Sequence, residues 1–240
     1  MKIYNVGSRI MNTYLYQMKN GYVMIDTGYK NSYSKCTSLM KRKGISWDMI
    51  QYIFLTHAHD DHAGFLKEVL DKHSNITCII SDQAFSVLAK GQNSFKGGCS
   101  SRLALFFCRM MKLLGNGEHL FPAIDETYKN RFIEVTQENV TEVEKLLSGK
   151  ILFTPGHTAD SISLKVNHLI FCGDAAMNGL PSLHRITIWI ENKEEFANSW
   201  QILLNEHVDY IYPAHGNRFR SGDLYRFKPA ISKIPLYPLK

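Results

Sequence analysis

The sequence predicts an α/β protein in which two sheets pack together with helices outside. Three observations lead there. Short apolar runs, rich in β-branched and aromatic residues and bounded by turn residues, recur in both halves of the chain. Each half follows its strands with a helical stretch. No clean linker separates the halves, so residues 1–240 read as one domain.

In chain order, 12–17 and 22–26 read as paired strands joined by a Lys-Asn-Gly turn at 19–21, and D-T-G-Y at 26–29 ends the second. Residues 33–43 suit a helix, with Ser32 or Ser34 as N-cap and Gly44 as its stop. The run Q-Y-I-F-L-T at 51–56 is a short strand that delivers the chain into H-A-H-D-D-H. A helix over 65–72 and a buried strand over 77–81 follow. From about 83 to 128 alternation is lost, five glycines appear (91, 97, 98, 115 and 117), and one strongly apolar helical segment spans 101–114. This stretch reads as a helical insertion. Alternation returns at Arg131 with R-F-I-E-V, G-K-I-L-F-T-P-G-H, S-I-S-L-K-V and H-L-I-F-C-G-D. A helix over 193–206 precedes a last strand at 210–212.

Composition narrows the function classes. A chain of 240 residues, 45% apolar and 21% charged, buries a substantial core and is not disordered. No apolar run approaches the ~20 residues of a membrane span. The N-terminal M-K-I-Y-N-V-G-S lacks the apolar core and cleavage site of a signal peptide, so a cytoplasmic location is expected. Cys36, Cys78, Cys99, Cys108 and Cys172 are odd in number and form no C-x-x-C pair, which argues against a disulfide framework or a thiolate zinc site. A net charge of +6 favours anionic partners but is too weak to predict nucleic-acid binding.

His57, His59, Asp61 and His62 fall within six residues at the end of an apolar strand. Residues two apart on extended chain point the same way, so His57 and His59 can grip one metal from one side. Asp60 is placed to cap the following helix, and the turn swings Asp61 and His62 toward a second metal. A lone histidine is more often a surface or satisfied core residue; four ligand-type residues in H-x-H-x-D-H argue against that reading here. Three further strands end in turns that present a ligand: His157 in T-P-G-H-T, Asp174 in C-G-D and His215 in P-A-H-G. Imidazole and carboxylate suit zinc or another borderline divalent ion.

In this order, D-T-G, H-A-H-D-D-H, T-P-G-H-T, C-G-D and P-A-H-G resemble the motifs of the metallo-β-lactamase superfamily, over roughly residues 12–217. The resemblance implies a four-layer αββα sandwich with a dinuclear site at one edge of the sheets. It implies that His57, His59 and His157 hold a first metal, that Asp61, His62 and His215 hold a second, and that Asp174 bridges them. Asp26 then orients a ligand histidine from behind. The expected ions are zinc, with iron or manganese as alternatives. A carboxylate at 174, with Cys172 facing the other way, looks more like the glyoxalase II, lactonase and phosphodiesterase branches than the antibiotic-degrading enzymes. The expected activity is attack by metal-activated water on a small ester, lactone, thioester or phosphodiester, with Asp61 also hydrogen-bonding the nucleophile. The alternative is a non-haem iron oxygenase of the persulfide dioxygenase type, because His and Asp also suit iron. A vestigial site is disfavoured because all seven ligands are present.

Substrate clues are sparser. Asn178, His184 and Arg185 follow Asp174 and are candidates for substrate contact, against the plain reading of a solvated loop. In the insertion, Leu103, Phe106, Phe107, Met110, Met111 and Leu114 recur at helical spacing with Arg102, Arg109 and Lys112 among them, which suits packing or a homodimer contact ahead of a lid. His119 and Tyr128 are candidate oxyanion donors. Only 25 residues follow His215, which counts against the C-terminal glutathione-binding domain of standard glyoxalase II enzymes. The expected partner is a small molecule, anionic or acylated.

Overall fold

The computed structural model describes residues 2–239, with Asn116 represented by its backbone. The chain divides into two units. The first comprises the residues up to Asn93 together with Leu120–Gly149, and the second Ser94–His119 together with the residues from Lys150 onward.

The first unit is built on a six-stranded sheet. Its strands are β1 (Ile3–Asn5), β2 (Tyr14–Met18), β3 (Gly21–Ile25), β4 (Ile50–Phe54), β5 (Thr77–Ser81) and β7 (Phe132–Val135), lying side by side in that order. β1, β2 and β3 are antiparallel, with Tyr14 opposite Ile25 and Met18 opposite Gly21 across the predicted turn. From β3 onward every pairing is parallel, which requires crossovers. Helix α1 (Tyr33–Lys41) connects β3 to β4, α2 (Leu66–Lys72) connects β4 to β5, and α3 (Phe85–Lys90) lies between β5 and β7. The parallel strands read as near-continuous apolar runs because both faces are covered. Ile53, Phe54, Cys78, Ile79 and Ile80 are fully buried, and Leu15, Met24, Phe65 and Leu88 share one core with Ile53, Cys78 and Ile80. Helix α5 (Val140–Leu147) follows β7.

The second unit carries a five-stranded sheet: β8 (Lys150–Phe153), β9 (Ile162–Val166), β10 (Leu169–Gly173), β12 (Tyr210–Pro213) and β13 (Phe219–Arg220). β8, β9 and β10 form an antiparallel meander. β10 pairs parallel with β12 after the crossover through α6 (Lys193–Asn205), and β13 closes the edge antiparallel. Asn192 caps α6 by accepting from the amides of Glu194 and Glu195. Trp200 on that helix is fully buried and its indole donates to the Ala175 carbonyl at 2.7 Å. Helix α7 (Gly222–Ile231) follows β13. A short ribbon pairs β6 (Gly98–Cys99) with β11 (Trp189–Ile190). Helix α4 (Arg102–Met111), capped by the Ser101 hydroxyl, runs on into a widened turn, Lys112–Asn116.

Three features depart from the sequence reading. The stretch 83–128 is shared: α3 and a short turn of helix at Glu126–Arg131 go with the first unit, and Ser94–His119 with the second. Helices α5 and α7 are additional to the elements read from the sequence, although Val140, Val143 and Leu147, and Leu224, Phe227 and Ile231, stand at helical spacing. Asp60 does not cap α2, whose N-cap position is Phe65; its amide and carboxylate instead bond the Asn93 side chain, both at 2.8 Å. Among the described residues, no helix is long and apolar enough to cross a membrane.

Candidate metal centre

In the first unit the donors come from the loop between β4 and α2. β4 is central to its sheet, so the residues beyond Phe54 leave a rigid, buried strand. The loop then turns tightly: the amides of His62 and Ala63 both donate to the His59 carbonyl, at 3.0 and 2.8 Å. Gly64 permits this turn, because a Cβ there would press on the carbonyl oxygens of Asp60 and Gly28. Thr27 clamps it from the D-T-G segment, donating to the His62 carbonyl through both its amide and its hydroxyl at 2.7 Å.

The rings are gathered by this backbone. The His57 and His62 centroids lie 3.9 Å apart and those of His57 and His59 4.6 Å apart. Donor atoms of His57 and His59, of His57 and His62, and of Asp61 and His62 lie within 4.8 Å of each other. Behind them sits Asp26, 1% exposed and at positive φ. Its carboxylate accepts from the Thr56 amide at 2.7 Å and the Thr56 hydroxyl at 2.9 Å, and it meets His62 Nδ1 at 2.8 Å. The Thr56 hydroxyl also lies 3.2 Å from His57 Nδ1. A carboxylate at Nδ1 keeps the proton on that nitrogen and leaves the Nε2 lone pair of His62 for a metal.

In the second unit His157, Asp174 and His215 stand beyond the ends of β8, β10 and β12. His157 Nδ1 lies 2.8 Å from the Trp189 carbonyl oxygen, an acceptor that fixes the same tautomer as in His62. His215 is held by its backbone, because the Asn178 amide donates to its carbonyl at 2.9 Å. Gly216, at φ +84°, makes this approach possible, since a Cβ would run into the Asn178 backbone. The Asp174 carboxylate lies between the two histidines. One oxygen is 3.7 Å from His157 Nε2 and the other 3.6 Å from His215 Nε2.

These separations test the fit to a metal. An imidazole hydrogen-bonded to a carboxylate would sit near 2.8 Å. Two ligands each ~2.1 Å from a tetrahedral ion stand roughly 3.4 Å apart. Asp174 to His157, Asp174 to His215 and Asp61 to His62, the last at 3.8 Å, all match the second spacing better than the first. The donors are the imidazoles and carboxylates that zinc, manganese and iron accept. Groups of His and Asp here could therefore hold metal.

The family model of the metallo-beta-lactamase superfamily matches residues 7–215. The chain belongs to the metallo-β-lactamase superfamily. A metallo-beta-lactamase fold-containing protein of Sulfurisphaera tokodaii, ST1585, is 29% identical over 64% of the chain and 52% of its own length. A beta-lactamase-like protein 2 homolog of Caenorhabditis elegans is 24% identical over 85% of the chain and 55% of its own length. The chain thus spans about half the length of these relatives. The uncharacterized protein YobT of Bacillus subtilis is 26% identical over 93% of the chain and 90% of its own length. Among solved structures, ST1585 superposes with a TM-score of 0.63 at 19% identity, covering 95% of this chain and 85% of that one. A metallo-β-lactamase of Cronobacter sakazakii with a HARLDQ motif does so with 0.64 at 20% identity, covering 96% and 88%. These likenesses show the fold, and the α/β class predicted from the sequence is that of the superfamily. Superfamily membership suggests metal-dependent hydrolysis in general terms.

The remaining candidates are placed as follows. Arg185 pairs with Asp223 on α7 at 2.8 Å and hydrogen-bonds the Asn178 side-chain carbonyl, while the Asn178 amide group donates to the Asn217 carbonyl at 2.7 Å. His184 packs against Phe227, with centroids 5.1 Å apart. His119 lies beside Phe95, and Tyr128 is hydrogen-bonded to Asp71. Thr56 and Trp189 escaped the sequence reading. Thr56 directly precedes the histidine motif, whereas nothing local marks the Trp189 carbonyl.

Proposed function

We propose that the two units act as one metal-dependent hydrolase domain carrying a dinuclear centre. His57, His59 and His157 would hold one ion, Asp61, His62 and His215 the other, and Asp174 would bridge them. The observation that carries this reading is the Asp174 carboxylate, which turns one oxygen to each of two histidines at ligand-to-ligand spacing. Zinc is the proposed metal. When bound, two such ions lower the pKa of a shared water toward ~7 and provide hydroxide at neutral pH.

The protein's own groups do the rest. Asp26 and the Trp189 carbonyl would keep protons on Nδ1 of His62 and His157 and so leave the Nε2 lone pairs for metal. Thr56 relays the Asp26 carboxylate to His57. Asp61, partly exposed where the neighbouring histidines are buried, would accept a hydrogen bond from the nucleophile and pass its proton to solvent. Asn178 and Arg185 would hold the His215 turn and, with His184, line the way in. The substrate class is a small ester, lactone, thioester or phosphodiester.

The test is metal analysis of protein purified without added metal, followed by a substrate panel on the zinc, manganese and iron forms. About two ions per chain and hydrolysis without oxygen uptake are expected. A single iron with oxygen uptake would replace this reading with an oxygenase. Asp61→Asn should lower turnover more than metal content; equal loss of both would remove its second role.

A further inference from the structure

Helix α4 and the widened turn after it present an apolar face that nothing in their own unit covers. The helix seats Ala104, fully buried, against the rest of the unit, with Cys108 and Met111 half-buried beside it. On the opposite side Leu103, Phe106, Met110, Leu113 and Leu114 recur at three- and four-residue spacing and form one stripe. Phe106 and Leu114 are each 67% exposed and Leu113 is 89% exposed. Leaving such side chains in water sacrifices the burial that ordinarily accounts for so apolar a helix.

The charges carried by α4 and its turn have one sign. Arg102, Arg109 and Lys112 are exposed, as is Lys96 just before β6; no Asp or Glu occurs from Gln83 to Gly117, and the exposed Glu118 follows the turn. A second copy of the chain meeting this face about a twofold axis would set cations against cations, a juxtaposition that opposes association. A surface both apolar and anionic meets every feature: it accepts Phe and Leu to a shallow depth and neutralises the cations at its rim. Phe95, just before β6 in the same unit, is also 50% exposed.

We propose that α4 and the Lys112–Asn116 turn dock the protein reversibly on anionic phospholipid bilayers. The stripe lies in the headgroup region and the four cations contact lipid phosphates or carboxylates. The contact is peripheral, and no segment enters the bilayer core.

The test is co-sedimentation of the full chain with large unilamellar vesicles, of phosphatidylcholine alone and of phosphatidylcholine mixed with phosphatidylserine. Binding to the mixed vesicles, weakened by salt and at least tenfold lower without phosphatidylserine, is expected. Phe106→Ser, Leu113→Ser and Leu114→Ser together should lower partitioning at least tenfold while leaving the circular dichroism spectrum and melting temperature unchanged, because these side chains are exposed. Arg102→Gln and Arg109→Gln should each lower it about fivefold, as expected for one cation near an anionic surface. Absence of binding to the mixed vesicles overturns the proposal. So does binding that the apolar triple variant leaves intact. A dimer of the wild-type chain that the triple variant dissociates in sedimentation equilibrium, with neither pelleting with vesicles, assigns the face to a second copy instead.

Discussion

Asp26 offers the sharpest test of the metal site, because Asp26→Asn keeps the shape and changes one property. The native carboxylate accepts at both oxygens: Oδ1 from the Thr56 amide and Oδ2 from His62 Nδ1, with the Thr56 hydroxyl within hydrogen-bond reach of both. An amide accepts at one end only. Whichever way Asn is turned, one N–H opposes another: against the Thr56 amide, or against His62 Nδ1–H. The second conflict is relieved by moving the His62 proton to Nε2, which removes the lone pair meant for the metal. A buried hydrogen bond to a charged group contributes roughly 1.5–3 kcal/mol. At about 1.4 kcal/mol per decade, that corresponds to a loss of metal affinity of roughly 10- to 150-fold. The effect should fall on the ion proposed for His62 and extend more weakly to His57 through Thr56.

The assay is competition for zinc with a chromophoric chelator, run on wild type, Asp26→Asn and Thr56→Val, alongside melting of the metal-free proteins. Thr56→Val breaks the relay to His57 and leaves the Asp26–His62 contact, so its loss should be the smaller. If Asp26→Asn binds zinc within twofold of wild type while folding normally, the orientation argument fails. If the metal-free variant simply melts far lower, Asp26 is a folding residue, and the affinities of the folded proteins decide whether it is also an orienting one.

Gly64→Ala sets a Cβ against the backbone oxygens of Asp60 and Gly28, which cannot rotate aside; we expect a loss of about 1–3 kcal/mol, read as a lower melting temperature together with weaker zinc binding. Thiol labelling should be selective: burial raises Cys36 and Cys78 to about 12, whereas a hydrogen bond from Cys99 lowers Cys108 below the usual thiol range, so mass spectrometry after brief alkylation near neutral pH should find Cys108 modified and Cys36 and Cys78 untouched. Burial pushes the Glu206 carboxyl up, but hydrogen bonds from Lys150 and Lys165 more than offset this and hold it below its ordinary value. Its contribution is therefore present above the unfolded carboxyl pKa of about 4.3 and lost as pH falls through the folded one. Glu206→Gln should reduce stability at neutral pH by less than about 1 kcal/mol and flatten the acid limb of the stability–pH curve.

The candidate metal donors were legible because each follows a strand whose apolar residues mark it in the sequence. H-x-H at the end of Q-Y-I-F-L places two rings together through local chain geometry alone, and the tight turn at His59–Ala63 brings His62 back to His57. The paired strands at Tyr14–Met18 and Gly21–Ile25 were legible for the same reason, since turn and alternation are both local. What local pattern could not carry was partnership at long range. The acceptor for His157 is a main-chain carbonyl 32 residues away. Any residue type could supply it, so no side chain advertises it. Asp60 shows the converse: its position before a helix suggests a cap, but the helix begins at Leu66, and Asn93 provides the bond that holds it.

The insertion shows where apolar patterning misleads. Helical spacing and dense apolar content in 101–114 predict a buried face, and α4 does bury one, through Ala104. That face is made of Ala104 with the half-buried Phe107, Cys108 and Met111, while the stripe of Leu103, Phe106, Met110, Leu113 and Leu114 points outward. Core packing therefore accounts for the weaker side of the helix and leaves the stronger side unexplained. A helix selected only to fill space would carry Phe106 and these leucines on the inner face beside Phe107, with charges of both signs outside. Here the outer face combines Phe106, Met110 and the leucines with the cations of the helix, and that pairing fits what the helix is proposed to meet in solution better than what it packs against.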